Sequence, residues 1–261
     1  MNDLAGQTAV VVGGSRGLGR GISRALAAAG AQVVAVARTG PALGELATTS
    51  ANIKTEVADA AAEAVAWSLL DRYEPQALVL VAGATPVMLP LQHQTWETFS
   101  VNWHADVKIA FGWLRAALLR PLPPGSRVIV VSSGAALNGS PASGGYAGAK
   151  ATQRFIADYA RDEARRAGLG ITVTAVLPRM TPAGEVGRSG IRAYAARDGL
   201  TEQEYVAKLG EPLTDEGAGS GVAELIGMDP AAVGPGYLLT AGGLKPLPGL
   251  GTAGRWRPRA T

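Results

Sequence analysis

The chain has no cysteine in its 261 residues, which rules out disulfides, thiolate metal sites and a cysteine nucleophile and fits a reducing compartment. Histidine is nearly as scarce, with only His93 and His104, so a histidine-rich metal site is not expected. Charge is also low: 17% of residues are charged, and the formal net charge is +3, without a basic stripe interleaved with aromatics, so no nucleic-acid partner is expected. No apolar run approaches the roughly 18 residues of a membrane span, and the first residues carry no basic segment of a secretory leader. These absences leave a cytoplasmic globular protein as the expectation. The one local basic cluster, RWRPRAT at the end of a tail over 252–261, reads as a terminus rather than a binding arm.

What is present is apolar residue, at 47%, in a recurring pattern. Short runs rich in valine and isoleucine lie at 8–12, 32–37, 53–57, 77–82, 127–132, 171–176 and 236–240, separated by stretches with helical spacing such as 18–29 and 95–119. Continuous apolar strands imply burial on both faces. Their alternation with helices then implies a single α/β domain over 1–261: a doubly wound parallel sheet of about seven strands covered by helices on both sides. The alternation breaks after Pro178, where a polar and helical excursion over about 179–212 would sit beside the ligand crevice as a substrate lid.

The first strand runs into GGSRGLGRG and then a helix. Glycines at 13, 17 and 19 allow a tight turn and close approach of an anion, and the amides at the helix start offer donors to a pyrophosphate. Gly13, Ser15, Arg16, Gly17, Leu18 and Gly19 are therefore expected to face a dinucleotide. Beyond the second strand, where an acid would bond a ribose 2′-hydroxyl, stand Ala37 and Arg38, and Arg16 is placed to close on the same corner. Guanidinium groups without a carboxylate suit a 2′-phosphate, so NADP(H) is expected over NAD(H).

Further along, SSGAALNGSPASGGYAGAK places Tyr146 and Lys150 four apart at the start of a helix, one turn from each other on one face. An ammonium beside a phenol favours the phenolate and lets the tyrosine pass a proton in either direction. Ser133, at the carboxyl end of the fifth strand, is positioned to donate to the same substrate oxygen. Of the remaining aromatics and histidines, His93, Trp96, Trp103 and His104 are expected to pack rather than line a pocket or an oligomer face. Met180, Ile191, Tyr194 and Tyr205 in the excursion would be either lid core or substrate contacts.

Taken together, the glycine loop, Asp59, Asn102 in SVNWHADV, Ser133, Tyr146, Lys150, Pro178 and the closing YLLTAGG resemble the short-chain dehydrogenase/reductase family over nearly the whole chain. The resemblance implies a tetrad: Tyr146 as acid/base, Ser133 orienting the reacting oxygen, Lys150 acting on the tyrosine and the nicotinamide ribose, and Asn102 supporting a water relay. It also implies contacts of Asp59 with adenine, of Ala82, Gly83 and Pro178 with the cofactor, and of Thr181 with the nicotinamide amide. A homodimer or homotetramer is implied, built on the long fourth and fifth crossover helices. The sequence departs from the family pattern at Val12, at Leu80-Val81-Ala82-Gly83, where two bracing asparagines are missing, and at Arg179, where a glycine is usual. An NADPH-dependent carbonyl reductase of a small, largely apolar substrate is the expected activity. The alternatives are an NADP(H)-binding sensor without turnover and nucleotide-sugar epimerase chemistry, for which the chain is short and its glycine spacing wrong.

Overall fold

The computed structural model describes residues 3–182 and 184–250; the basic tail over 252–261 lies outside them. Its strands are β1 (Thr8–Val12), β2 (Gln32–Ala37), β3 (Ile53–Val57), β4 (Ala77–Leu80), β5 (Arg127–Val131), β6 (Thr172–Pro178), β7 (Gly236–Thr240) and β8 (Gly243–Leu247). The helices are α1 (Gly17–Ala28), α2 (Gly40–Ala47), α3 (Glu63–Tyr73), α4 (Trp96–Asn102), α5 (Lys108–Leu119), α6 (Ala135–Asn138), α7 (Gly144–Arg166), α8 (Glu185–Asp198), α9 (Glu202–Lys208) and α10 (Asp215–Gly227). They surround one sheet of order β3-β2-β1-β4-β5-β6-β7-β8, parallel throughout except for β8, which pairs antiparallel with β7 at the edge. The winding reverses between β1 and β4, which places a ligand crevice at their carboxyl ends.

The valine runs become strands because both faces of the sheet are covered. Val11, Val33, Ala35 and Ile129 point into a layer with Ile22 and Leu26 of α1 and Leu225 of α10. Their neighbours Val10, Val12, Val34, Val36, Val128 and Val130 point the other way, onto Leu69, Trp113 and Ala157. Each such side chain contributes roughly 1.5–3 kcal/mol when fully buried, so the two layers hold the crevice walls rigid. α1 lies close against α10 because both use glycine there: a Cβ at Gly21 would fall 2.0 Å from the Asp215 carbonyl oxygen.

Three features differ from the sequence reading. An eighth strand is present, and β6 runs two residues past the expected end at Val176, where Leu177 and Pro178 pair with β7. The stretch over 95–119 is one continuous helical run, but a π-helical turn over Trp103–Val107 interrupts it between α4 and α5. His93, Trp96, Trp103 and His104 are all exposed rather than packed, with Trp96 at 67%. Among the described residues no helix is long and apolar enough to cross a membrane.

Candidate active site

A cleft of about 1580 Å³ opens at the carboxyl ends of β1, β4, β5 and β6. On one side lies the loop between β1 and α1. Gly13 has φ 92°, and a Cβ there would lie 2.6 Å from the Ala82 backbone nitrogen; a Cβ at Gly19 would lie 2.0 Å from the Gly13 carbonyl oxygen. Only glycine permits this fold of the loop against the exit of β4. Gly17, with φ 50°, has open space where its Cβ would be, and α1 begins without a side-chain cap or an acidic residue in its first turn. Uncovered amides and the positive end of the helix thus face the cleft, an arrangement that accepts a phosphate.

The other residues expected to hold a cofactor line the same cleft: Ser15, Arg16, Leu18, Arg38, Asp59, Ala82, Gly83, Pro178 and Thr181. Arg38 is exposed just beyond the last residue of β2. Arg16 is differently engaged than the sequence suggests, since its guanidinium donates to the Glu185 carboxylate at the start of α8, 2.6 Å away. Asp59 accepts from the Ala61 amide at 3.0 Å. Among the described residues no cluster of three or more histidine, cysteine or acidic side chains could hold a metal ion.

Ser133, Tyr146 and Lys150 meet on the opposite wall. The end of β5 is tied to β6 by the Ser132 amide donating to the Val176 carbonyl at 2.7 Å and the Gly134 amide donating to the Pro178 carbonyl at 2.9 Å. Ser133 is held between these two bonds. Its Oγ accepts from the Ala135 amide at 3.2 Å, which leaves the hydroxyl proton to donate. Ser132, its neighbour, donates instead to the Lys150 carbonyl at 2.7 Å and fastens β5 to α7. α7 approaches α4 closely because residue 145 is glycine, whose Cβ would fall 2.0 Å from the Phe99 carbonyl oxygen. Tyr146 and Lys150 project from this helix with the ammonium 5.5 Å from the tyrosine ring centroid.

Behind that wall the π-helical turn builds a buried polar network. Lys150 Nζ donates to the Asp106 carboxylate at 3.0 Å and to Gln153 Oε1 at 2.9 Å, while Gln153 Nε2 donates to the Asp106 carbonyl at 2.9 Å. Asp106 Oδ1 also accepts from the Ala84 amide at 2.8 Å and from Asn102 Nδ2 at 3.1 Å; Asn102 Nδ2 donates to the Ala84 carbonyl at 2.7 Å as well. Asn102 is therefore a satisfied core amide at the head of the π-turn, and it does not line the cleft. Together Asn102 and Asp106 brace the exit of β4, the task that the resemblance gives to the missing asparagines. Burial works against the Lys150 charge, but the Asp106 carboxylate and then Tyr146 outweigh it and hold the lysine above its ordinary value.

The excursion after β6 folds as α8 and α9 over the cleft mouth. Tyr194 of α8 hydrogen-bonds Ser140, whose Oγ also accepts from the Ser143 amide at 2.9 Å, so α8 rests on the turn that starts α7. Met180, Tyr194 and Tyr205 line the cleft, whereas Ile191 of α8 is buried. Sequence reasoning missed Asp106, Gln153 and Glu185. A charged residue inside the apolar run of the α4–α5 stretch was the available signal for Asp106; for Glu185 there was none.

Known proteins resemble the chain in sequence and in fold. Residues 7–189 match the family model described as short chain dehydrogenase. L-xylulose reductase of Bos taurus is 34% identical over 140 residues, which cover 52% of this chain and 57% of that protein. A probable oxidoreductase of Streptomyces antibioticus is 36% identical over 146 residues, covering 52% and 48%. The chain thus spans about half the length of the curated relatives it matches. A crystal structure of an actinorhodin polyketide ketoreductase variant with NADPH superposes with a TM-score of 0.77 at 21% identity, covering 90% of this chain and 96% of that one, a likeness of fold. With the family model matching well over half its length, the chain belongs to the short-chain dehydrogenase/reductase family of oxidoreductases.

Proposed function

We propose that the cleft binds NADP(H) and that the chain reduces the carbonyl group of a small molecule to an alcohol, or runs the reverse, with Tyr146 as acid/base. The observation that carries this reading is the meeting, in one cleft, of a glycine loop under a helix start with Ser133, Tyr146 and Lys150 on the facing wall. The residues fit a dinucleotide: the loop leaves amides and open space for phosphate, and Arg38 supplies a fork of donors for a 2′-phosphate. When bound, NADPH supplies the hydride that becomes the new C–H bond of the alcohol.

The chain's own residues handle the oxygen. Ser133 donates a hydrogen bond to the substrate carbonyl and so fixes which atom faces Tyr146. The tyrosine hydroxyl gives its proton to that oxygen as negative charge develops, forming the O–H bond; in reverse it takes the proton back. Lys150 keeps a positive charge beside the ring throughout. Met88, Leu137, Pro141 and Met180 line the cleft and support a largely apolar substrate body, with Tyr194 and Asn138 as polar contacts. The relatives' names, L-xylulose reductase and a polyketide ketoreductase with NADPH, support carbonyl reduction as the reaction class.

The reading includes a homodimer or homotetramer in the cytoplasm. Phe111 of α5, Phe155 and Tyr159 of α7 and Trp103 beside them are each more than a third exposed, a face that a second copy of the chain would cover. The test of the activity is NADPH oxidation by the purified chain against ketones, 1,2-diketones, quinones and 3-oxoacyl thioesters. Turnover of at least one class, faster with NADPH than with NADH, is expected. NADPH binding without turnover of any class would favour a sensor, and no binding of either dinucleotide would end the proposal.

A further inference from the structure

Asp106 takes no part in the proton transfer described above, yet its side chain is only 1% exposed. A carboxylate withdrawn from water this far persists only where something compensates it. Three groups do so: the Lys150 ammonium at 3.0 Å, the Ala84 amide at 2.8 Å and Asn102 Nδ2 at 3.1 Å; Gly83 leaves the room, since a Cβ there would crowd the carboxylate at 2.6 Å. The exit of β4 and the π-turn are thus shaped to admit this carboxylate.

Seen from the lysine, the same arrangement limits where the ammonium can go. The Val131 carbonyl on β5 accepts from it only at 3.5 Å, a long bond. Asp106 and Gln153 accept its two shorter bonds, and Gln153 is oriented in turn by its bond to the Asp106 carbonyl. The titratable groups facing the ammonium are Asp106 from the π-turn and Tyr146 from its own helix; β5 offers only the Val131 carbonyl, and α7 the Gln153 amide.

We propose that Asp106 is a positioning residue that acts through Lys150: pinned by Ala84 and Asn102, it fixes the ammonium beside the Tyr146 ring and keeps it charged. The pair joins three elements, the exit of β4, the π-turn and α7, so the lysine is set by the chain before any ligand arrives. The catalytic consequence rests on the reductase reading, while the pairing itself does not.

The experiment is a pH titration of the chain carrying carbon-13-labelled lysine, followed at the Cε resonances by NMR. Lys54, Lys108, Lys208 and Lys245 are exposed and serve as internal references. In the native chain Lys150 is expected to stay protonated as the pH passes 10.5, the ordinary lysine value. Asp106→Asn removes the counter-charge and leaves the burial, so Lys150 is expected to titrate about one unit or more below the references. Asp106→Glu is expected to restore part of the shift. Lys150 titrating with the references in the native chain, or unmoved by Asp106→Asn, would overturn the proposal. Circular dichroism establishes that each variant folds; if Asp106→Asn does not, the native chain and Asp106→Glu decide the matter. With a turned-over ketone and NADPH, Asp106→Asn is expected to lower kcat about tenfold or more, to leave KM for the ketone within about twofold, and to move the alkaline limb of the rate profile to lower pH. An unchanged kcat and profile would overturn the catalytic role. Should no ketone turn over, the titration still decides the pair, and only the reductase reading falls.

Discussion

Two ion pairs join walls of the same cleft, and they differ in everything but charge. Arg16 meets Glu185 at 2.6 Å with side chains 69% and 50% exposed, whereas Lys150 meets Asp106 at 3.0 Å with side chains 6% and 1% exposed. The shorter contact is the weaker one. Water and salt screen the first pair, and such pairs contribute about 0–1 kcal/mol. The second has no water to fall back on, so removing one partner strands a buried charge. One end of the cleft, where α8 meets the glycine loop, is thus joined by an exposed pair and the other, beneath the tyrosine, by a buried one.

The largest expected effect breaks the buried pair. Asp106→Ala is expected to destabilise the chain by about 3–5 kcal/mol in chemical unfolding, because the Lys150 charge is left uncompensated. Combining Asp106→Leu with Lys150→Met is expected to recover most of that stability while leaving the chain inactive as a reductase; a double variant as unstable as Asp106→Ala would show that packing rather than charge pairing holds this wall. The sign of the pH dependence follows from the same pair. Lys150 is raised in the folded state, so its contribution to stability is fully present below its unfolded value of 10.5 and is lost as the pH rises through the higher folded value. Thermal unfolding is expected to show the chain losing stability more steeply above that pH than Lys150→Met does.

The next effect concerns the end with the exposed pair. Arg38→Asp is expected to weaken NADPH binding by about 10- to 100-fold, as loss of a charge-assisted bond to phosphate would, while NADH binding changes by less than about threefold. Equal losses for both would remove the 2′-phosphate assignment. The smallest effect is Glu185→Gln, which frees Arg16 from α8. Stability is expected to change by less than about 1 kcal/mol, and that change should vanish at high salt. A loss as large as that of Asp106→Ala would erase the contrast between the two pairs.

What the sequence disclosed follows the same division between local and distant causes. The glycine loop, the valine strands and the Tyr146–Lys150 spacing were legible because each depends on neighbours within one turn or one strand. β8 was not: GLKPL is short, contains proline and pairs only at an edge through a tight return from β7. Asp106 was hidden because the π-turn inserts a residue into the helical period and turns a charged side chain inward, toward partners just beyond β4 and on α7. The Arg16–Glu185 contact joins residues 169 apart, which no local pattern encodes. Trp96 and Trp103 misled for a related reason, since helical spacing suggests a buried face but does not say whether the chain's own core covers it, and both are exposed.

Whether the Tyr146 hydroxyl delivers the proton in a carbonyl reduction is decided by single-turnover hydride transfer from saturating NADPH to the best ketone substrate. Tyr146→Phe is expected to slow that step by about 10²- to 10⁴-fold with NADPH affinity nearly unchanged. A Tyr146→Phe chain that reduces the ketone at the native rate would contradict the account.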